Sequence, residues 1–130
     1  MGPGKRHILL IDDDPLMHDV VQIILGEQYR VTCRSTTASG LNVLRDDHPS
    51  LLLLDIMLST PTEGLELAAQ LQADADLADI PIILVSSAPP DPGFEKSAPG
   101  ASGLAGAALF LEKPLQAARL RQAVAGILDK

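Results

Sequence analysis

At roughly 150 residues per domain, a chain of 130 residues with 46% apolar content has room for one packed domain and is too apolar for a disordered tail. Ten Lys and Arg against 17 Asp and Glu leave a formal charge of −7, the reverse of the usual balance in duplex-binding modules, so no direct nucleic-acid contact is expected. A lone Cys33 excludes an intrachain disulfide, no apolar run nears the ~20 residues that span a bilayer, and Met1–His7 lacks the apolar centre of a signal peptide, so a cytoplasmic protein without membrane contact is expected.

Ile8–Ile11 is a short continuous apolar run, as a strand buried on both faces should be. It stops at Asp12-Asp13-Asp14-Pro15, where Asp14 reads as a helix N-cap and Pro15 as the first helical residue. Leu16, Val20, Ile23 and Ile24 recur at helical spacing up to Gly26. Tyr29–Arg34 alternates weakly, which suggests an edge strand. Thr36 or Thr37 caps a second helix carrying Leu41 and Leu44, terminated by His48-Pro49. Leu51–Leu54 is a second buried strand and ends on Asp55. Leu65, Leu67, Ala68 and Leu71 mark a third helix. Ile80–Val85 and Ala107–Leu111 are two further buried strands, ending at Ser86-Ser87 and at Glu112-Lys113-Pro114. A last helix carries Leu120, Ala123, Val124, Ile127 and Leu128.

Four buried strands and one edge strand separated by helices form a (βα)5 pattern, which requires a parallel sheet with helices on both faces. Ala88–Gly106 breaks the rhythm. Pro89, Pro90, Pro92, Pro99, Gly93, Gly100, Gly103 and Gly106 fall within it, and this composition opposes the expected fourth helix. A mostly irregular, mobile segment is predicted there, with at most a turn or two of helix.

In open parallel α/β sheets, ligands sit beyond the carboxyl ends of the strands. Those ends carry Asp12, Asp13, Asp55, Ser86 and Lys113. Two carboxylates at 4 Å repel by about 4 kcal/mol at an effective dielectric near 20, so such a cluster either raises a carboxyl pKa or recruits a cation. Hard oxygen ligands at a shallow site favour Mg²⁺, which keeps waters and accepts a phosphate oxygen. A carboxylate beside Mg²⁺ and a lysine is placed to attack a phosphoryl group and form an acyl phosphate. Any one of these residues alone is more often a cap, a turn or a solvated lysine; their company singles them out. His7, His18 and His48 lie on unrelated segments and read as surface residues.

Ile8–Pro15, Leu53–Leu58, Gly64–Leu67, Ile80–Ser86 and Phe110–Pro114, in that order over nearly the whole chain, resemble the receiver domain of two-component response regulators of the chemotaxis type. The resemblance implies a flavodoxin-like, doubly wound sheet of order 2-1-3-4-5 and a single receiver domain over 1–130, with its core at about 6–129. It implies that Asp55 accepts a phosphoryl group from a histidine kinase or histidine phosphotransfer protein. It makes Asp12 and Asp13 the acidic Mg²⁺ pair, with Asp13 as the direct ligand, and gives Met57 a backbone carbonyl on the metal. Ser86 corresponds to the hydroxyl that contacts the phosphoryl group, and Lys113 to the lysine paired with it. Phe110 holds the aromatic switch position.

The chain departs from the family pattern at three places, one of them Phe110, which stands where the family has Tyr. The proline expected four residues after the phosphoacceptor is Ser59, and Glu63-Gly64 comes one residue late, so the loop after Asp55 carries an insertion. The interval from Ser86 to Lys113 is also long. These departures leave a second reading open, a degenerate receiver that binds a partner without being phosphorylated. An aspartate-nucleophile phosphatase would need an Asp-x-Asp signature after the first strand and a cap insertion, and a flavin module would not place three aspartates at its phosphate loop. No output module is expected after the last helix, as in a stand-alone receiver or one cut from a longer regulator. The expected activity is signalling, not enzymatic turnover.

Overall fold

The computed structural model describes residues 6–56, 58, 63–86 and 109–128. In chain order these form β1 (His7–Ile11), α1 (Pro15–Leu25), β2 (Arg30–Arg34), α2 (Thr37–Asp47), β3 (Leu51–Asp55), α3 (Glu63–Gln72), β4 (Ile82–Ser86), β5 (Leu109–Glu112) and α4 (Ala117–Leu128). All pairings are parallel and the strand order is β2-β1-β3-β4-β5, as expected. Ala88–Gly106, Met57 and Ser87 lie outside the described residues, so the expectation of an irregular segment there falls outside them too.

Strand alternation sorts the core into two layers. Leu9, Ile11, Leu52, Leu54, Ile82 and Leu84 face α2 and α3, whereas Ile8, Leu10, Leu51, Leu53, Ile83 and Val85 face α1 and α4. Every residue of β1, β3 and β4 is buried, and β2 is half-exposed. β5, expected as a fully buried strand, is the second edge of the sheet, and only Leu111 in it is buried. β4 also starts later than expected, at Ile82. Pro81 has no N–H for the ladder, yet its carbonyl accepts from Leu52 N at 3.0 Å.

The helix ends follow the sequence. Asp14 caps α1 by accepting from Leu16 N at 2.9 Å, and Pro15 is its first residue. Of the two threonines, Thr36 is the cap of α2 and accepts from Ser39 N at 3.1 Å. His48 ends α2 in the left-handed region at φ 46°.

The buried face of α1 differs from the expected one. Met17, Val21 and Leu25 are buried and Ile24 packs beside them, while Leu16 and Ile23 are 66% and 75% exposed. A helix with apolar residues around most of its circumference does not specify which face docks. Docking against β1 and β2 sets its rotation. Val21→Ala is therefore expected to cost about 2 kcal/mol, and Ile23→Gln less than about 0.5 kcal/mol, in urea unfolding. Equal costs would place the docking face where the apolar spacing suggested.

His7 is likewise not a surface residue. It is buried, its Nε2 lies 2.7 Å from Thr32 Oγ1, and its Nδ1 has no hydrogen-bond partner among the described residues. Burial, and secondarily the charge of Arg30, hold this imidazole below the usual histidine range, although Asp47 opposes the shift.

Candidate functional site

Period-two alternation carries the apolar layer facing α1 and α4 into polar residues at the carboxyl edge of the sheet. Asp12 continues the Ile8, Leu10 row, Asp55 the Leu51, Leu53 row, and Lys113 the Leu109, Leu111 row. One face thus delivers two carboxylates and an ammonium to one place. Lys113 Nζ donates to Asp12 Oδ2 at 2.8 Å and to Asp55 Oδ2 at 3.4 Å. Asp12 is fully buried and Asp55 is 5% exposed. Asp13 is exposed, yet one carboxylate oxygen from each of Asp12, Asp13 and Asp55 lies within 4.8 Å of the others.

Buried carboxylates require compensation, and Asp12 receives it at every polar atom. Its N–H donates to Arg34 O, its Oδ1 accepts from Asp14 N at 2.9 Å, its Oδ2 accepts from Lys113, and its carbonyl meets His18 Nε2 at 2.6 Å. For Lys113, burial pushes the ammonium down, but the hydrogen bond and charge of Asp12, followed by Asp55, outweigh it and hold the group above the usual lysine value of 10.5. Its stabilising contribution is therefore complete below pH 10.5 and is lost only as the pH rises through the higher folded-state value. Ser86 ends β4 beside Asp55, since Asp55 pairs with Val85 in register, and Ser86 O accepts from Lys113 N at 2.8 Å. Ser86 itself is buried and lies on the opposite parity to Asp55 and Lys113. The Lys113–Pro114 peptide is cis.

The start of α3 closes over the end of β3. Gly64 N donates to Ile56 O at 2.9 Å, and a Cβ on Gly64 would stand 2.2 Å from Asp55 O and 2.6 Å from Ile56 Cα. Both obstacles are backbone, so neither can move without displacing Asp55. Gly64→Ala is expected to cost about 2 kcal/mol, read by urea unfolding; an unchanged midpoint would show that the helix start is free to lift.

Residues 8–125 match the family model of the response regulator receiver domain. The chain belongs to that family. A "DNA-binding response regulator MtrA" of Mycolicibacterium smegmatis is 30% identical over 88 residues, which is 67% of this chain and 37% of that protein. The "Phosphate regulon transcriptional regulatory protein PhoB" of Pseudomonas aeruginosa is 35% identical over 65% of this chain and 36% of its own length. The receiver chain thus spans about a third of the length of these curated relatives. Among solved structures, a CheY-like receiver domain from Methanospirillum hungatei superposes with a TM-score of 0.80 at 28% identity, covering 97% of this chain and 95% of that one. The receiver domain of a Pseudomonas aeruginosa sensor histidine kinase, with "magnesium ion coordinated in the active site cleft", has the same fold (TM-score 0.79, 20% identity, 98% and 100% covered). The relatives named for DNA binding lend no support to the expectation that nucleic acid is not a partner.

The structure of this receiver brings together Asp12, Asp13, Asp55 and Lys113, and sets Ser86 at the adjoining strand end. Met57, expected to turn a carbonyl to the metal, lies outside the described residues. Phe110 is half-buried and packs on the layer facing α2 and α3. Sequence reasoning missed three supports of the site: the bond from Thr37 Oγ1 to Glu63 Oε2 at 2.9 Å between the first turns of α2 and α3, the close approach of Gly64, and the half-buried His18 on the acidic turn. Only the relative placement of elements distant in sequence reveals the first two.

Proposed function

We propose that this receiver accepts a phosphoryl group on Asp55 from the phosphohistidine of a histidine kinase or histidine phosphotransfer protein, in the cytoplasm and in the presence of Mg²⁺. The observation that carries this reading is the Lys113 ammonium bridging two buried carboxylates, Asp12 and Asp55, within a three-carboxylate cluster at the sheet edge. In this reading an Asp55 oxygen attacks phosphorus as the P–N bond of the donor breaks, and the imidazole leaves with a proton from solvent. A P–O bond forms, and Asp55 becomes an acyl phosphate. Lys113, already 3.4 Å from Asp55, offsets the charge that builds on the phosphoryl oxygens. The Ser86 hydroxyl donates to one of them. The domain is a signalling acceptor whose state a partner reads, without enzymatic turnover of its own.

The donor set fits Mg²⁺. Asp12, Asp13 and Asp55 offer hard oxygens close enough for one ion, Asp13 on the open side, and the family pattern adds the carbonyl of Met57. A bound ion would supply positive charge that offsets the negative charge of a phosphoryl group beside Asp55. Because a ligand that binds only the folded state stabilises it, millimolar Mg²⁺ is expected to raise the melting temperature, and Asp13→Ala to abolish that rise. A rise that persists in Asp13→Ala would remove this residue from the ligand set.

Incubation with acetyl phosphate and Mg²⁺, followed by intact-mass measurement, tests the main reading. One added phosphoryl group, labile to hydroxylamine as an acyl phosphate must be, is the expected result. No added mass from this donor or from a phosphorylated histidine protein would leave a partner-binding module that is not phosphorylated.

A further inference from the structure

We infer that His18 is a positioning residue for the metal-binding turn: its imidazole locks the Asp12–Asp13 peptide and thereby aims Asp13 at the cation. This inference rests on the Mg²⁺ reading above. His18 stands on the second turn of α1, and its ring folds back over the helix start so that Nε2 lies 2.6 Å from Asp12 O. A carbonyl oxygen only accepts, so Nε2 carries the proton and donates. The carbonyl belongs to the peptide that leads into Asp13, whose side chain is exposed and gains no comparable hold from burial.

The other three polar atoms of Asp12 are each held by another group: its N–H by Arg34 O of β2, Oδ1 by Asp14 N, and Oδ2 by Lys113. Those bonds fix the Asp12 backbone on its amide side and its carboxylate. The Asp14 bond also spans the Asp12–Asp13 peptide, and His18 adds the direct hold on that peptide's carbonyl. His18 is itself half-buried, and its backbone carbonyl accepts from Cys33 Sγ of β2 at 3.9 Å. The contact ties the rotation of α1 to the direction in which Asp13 points.

Groups that orient metal ligands without touching the metal typically change affinity by about 10–100-fold when removed. In calorimetric Mg²⁺ titration of the full chain, His18→Leu is expected to weaken binding about tenfold. His18→Gln, whose side-chain N–H reaches as far as Nε2, is expected to restore wild-type affinity. His18→Asn, too short to reach Asp12 O, should match His18→Leu and serves in its place if the leucine variant does not fold. A merely structural role would lower the metal-free melting temperature of all three variants without separating Gln from Asn in affinity. Equal Mg²⁺ affinity in Gln and Asn variants, with the wild type binding, overturns the inference. No Mg²⁺ binding by the wild type overturns the metal reading itself.

Discussion

Asp55→Asn is expected to take up no phosphoryl group from acetyl phosphate while keeping its fold. The amide has the shape of the carboxylate but no nucleophilic oxygen anion, so the P–O bond has no donor. Asp55 is 5% exposed, and an isosteric side chain fills the same space. Lys113 keeps its closer partner, Asp12 at 2.8 Å, and removing one carboxylate from a cluster within 4.8 Å relieves repulsion. The melting temperature without metal should therefore stay level or rise. Intact mass and a thermal melt check both halves. Undiminished labelling would move the acceptor to another carboxylate, and a collapsed melt would make Asp55 a folding residue.

Lys113→Met is expected to have the largest effect on stability, a loss of about 3 kcal/mol in urea unfolding at neutral pH. Removing one partner of a buried ion pair leaves an uncompensated charge and typically costs ~3–5 kcal/mol, and here two carboxylates, one of them fully buried, lose their cation. Lys113 keeps 16% of its side-chain surface in water, which places the figure at the lower end. Two further signs follow from the charge. Mg²⁺ should narrow the gap between variant and wild type, since another cation takes over the neutralisation. The gap should be constant from neutral pH up to pH 10.5 and close above it, because the raised folded-state value of Lys113 makes the wild type lose this contribution as the ammonium deprotonates. A gap under about 0.5 kcal/mol, the usual effect of a surface change, would show that the carboxylates are compensated without the lysine.

How much of this protein is legible in its sequence follows from which forces act locally. Ile8–Ile11 and Leu51–Leu54 are apolar without interruption, and only a strand buried on both faces accommodates that, so the sheet and its two helical layers follow directly. Asp14-Pro15 and Thr36 act on neighbouring N–H groups within a few residues, so the helix starts follow too. The carboxyl-edge residues follow from topology, because every parallel strand ends at the same edge. The rotation of α1 did not follow. Its apolar residues cover more than half of its circumference, and only docking against β1 and β2 exposes Ile23 and buries Val21. The buried state of His7 and the hold of His18 on Asp12 were hidden for a related reason. A histidine is polar in sequence and half-apolar in a fold, and which half matters depends on neighbours that Thr32 and Asp12 provide from other elements. The sequence by itself determined the sheet, the caps and the set of charges at its edge, because period-two burial and capping are short-range. Only the tertiary structure decided which helix face docks, that Gly64 stands against the backbone of Asp55, and that Lys113 sits closer to Asp12 than to Asp55, because these depend on distances between segments up to a hundred residues apart.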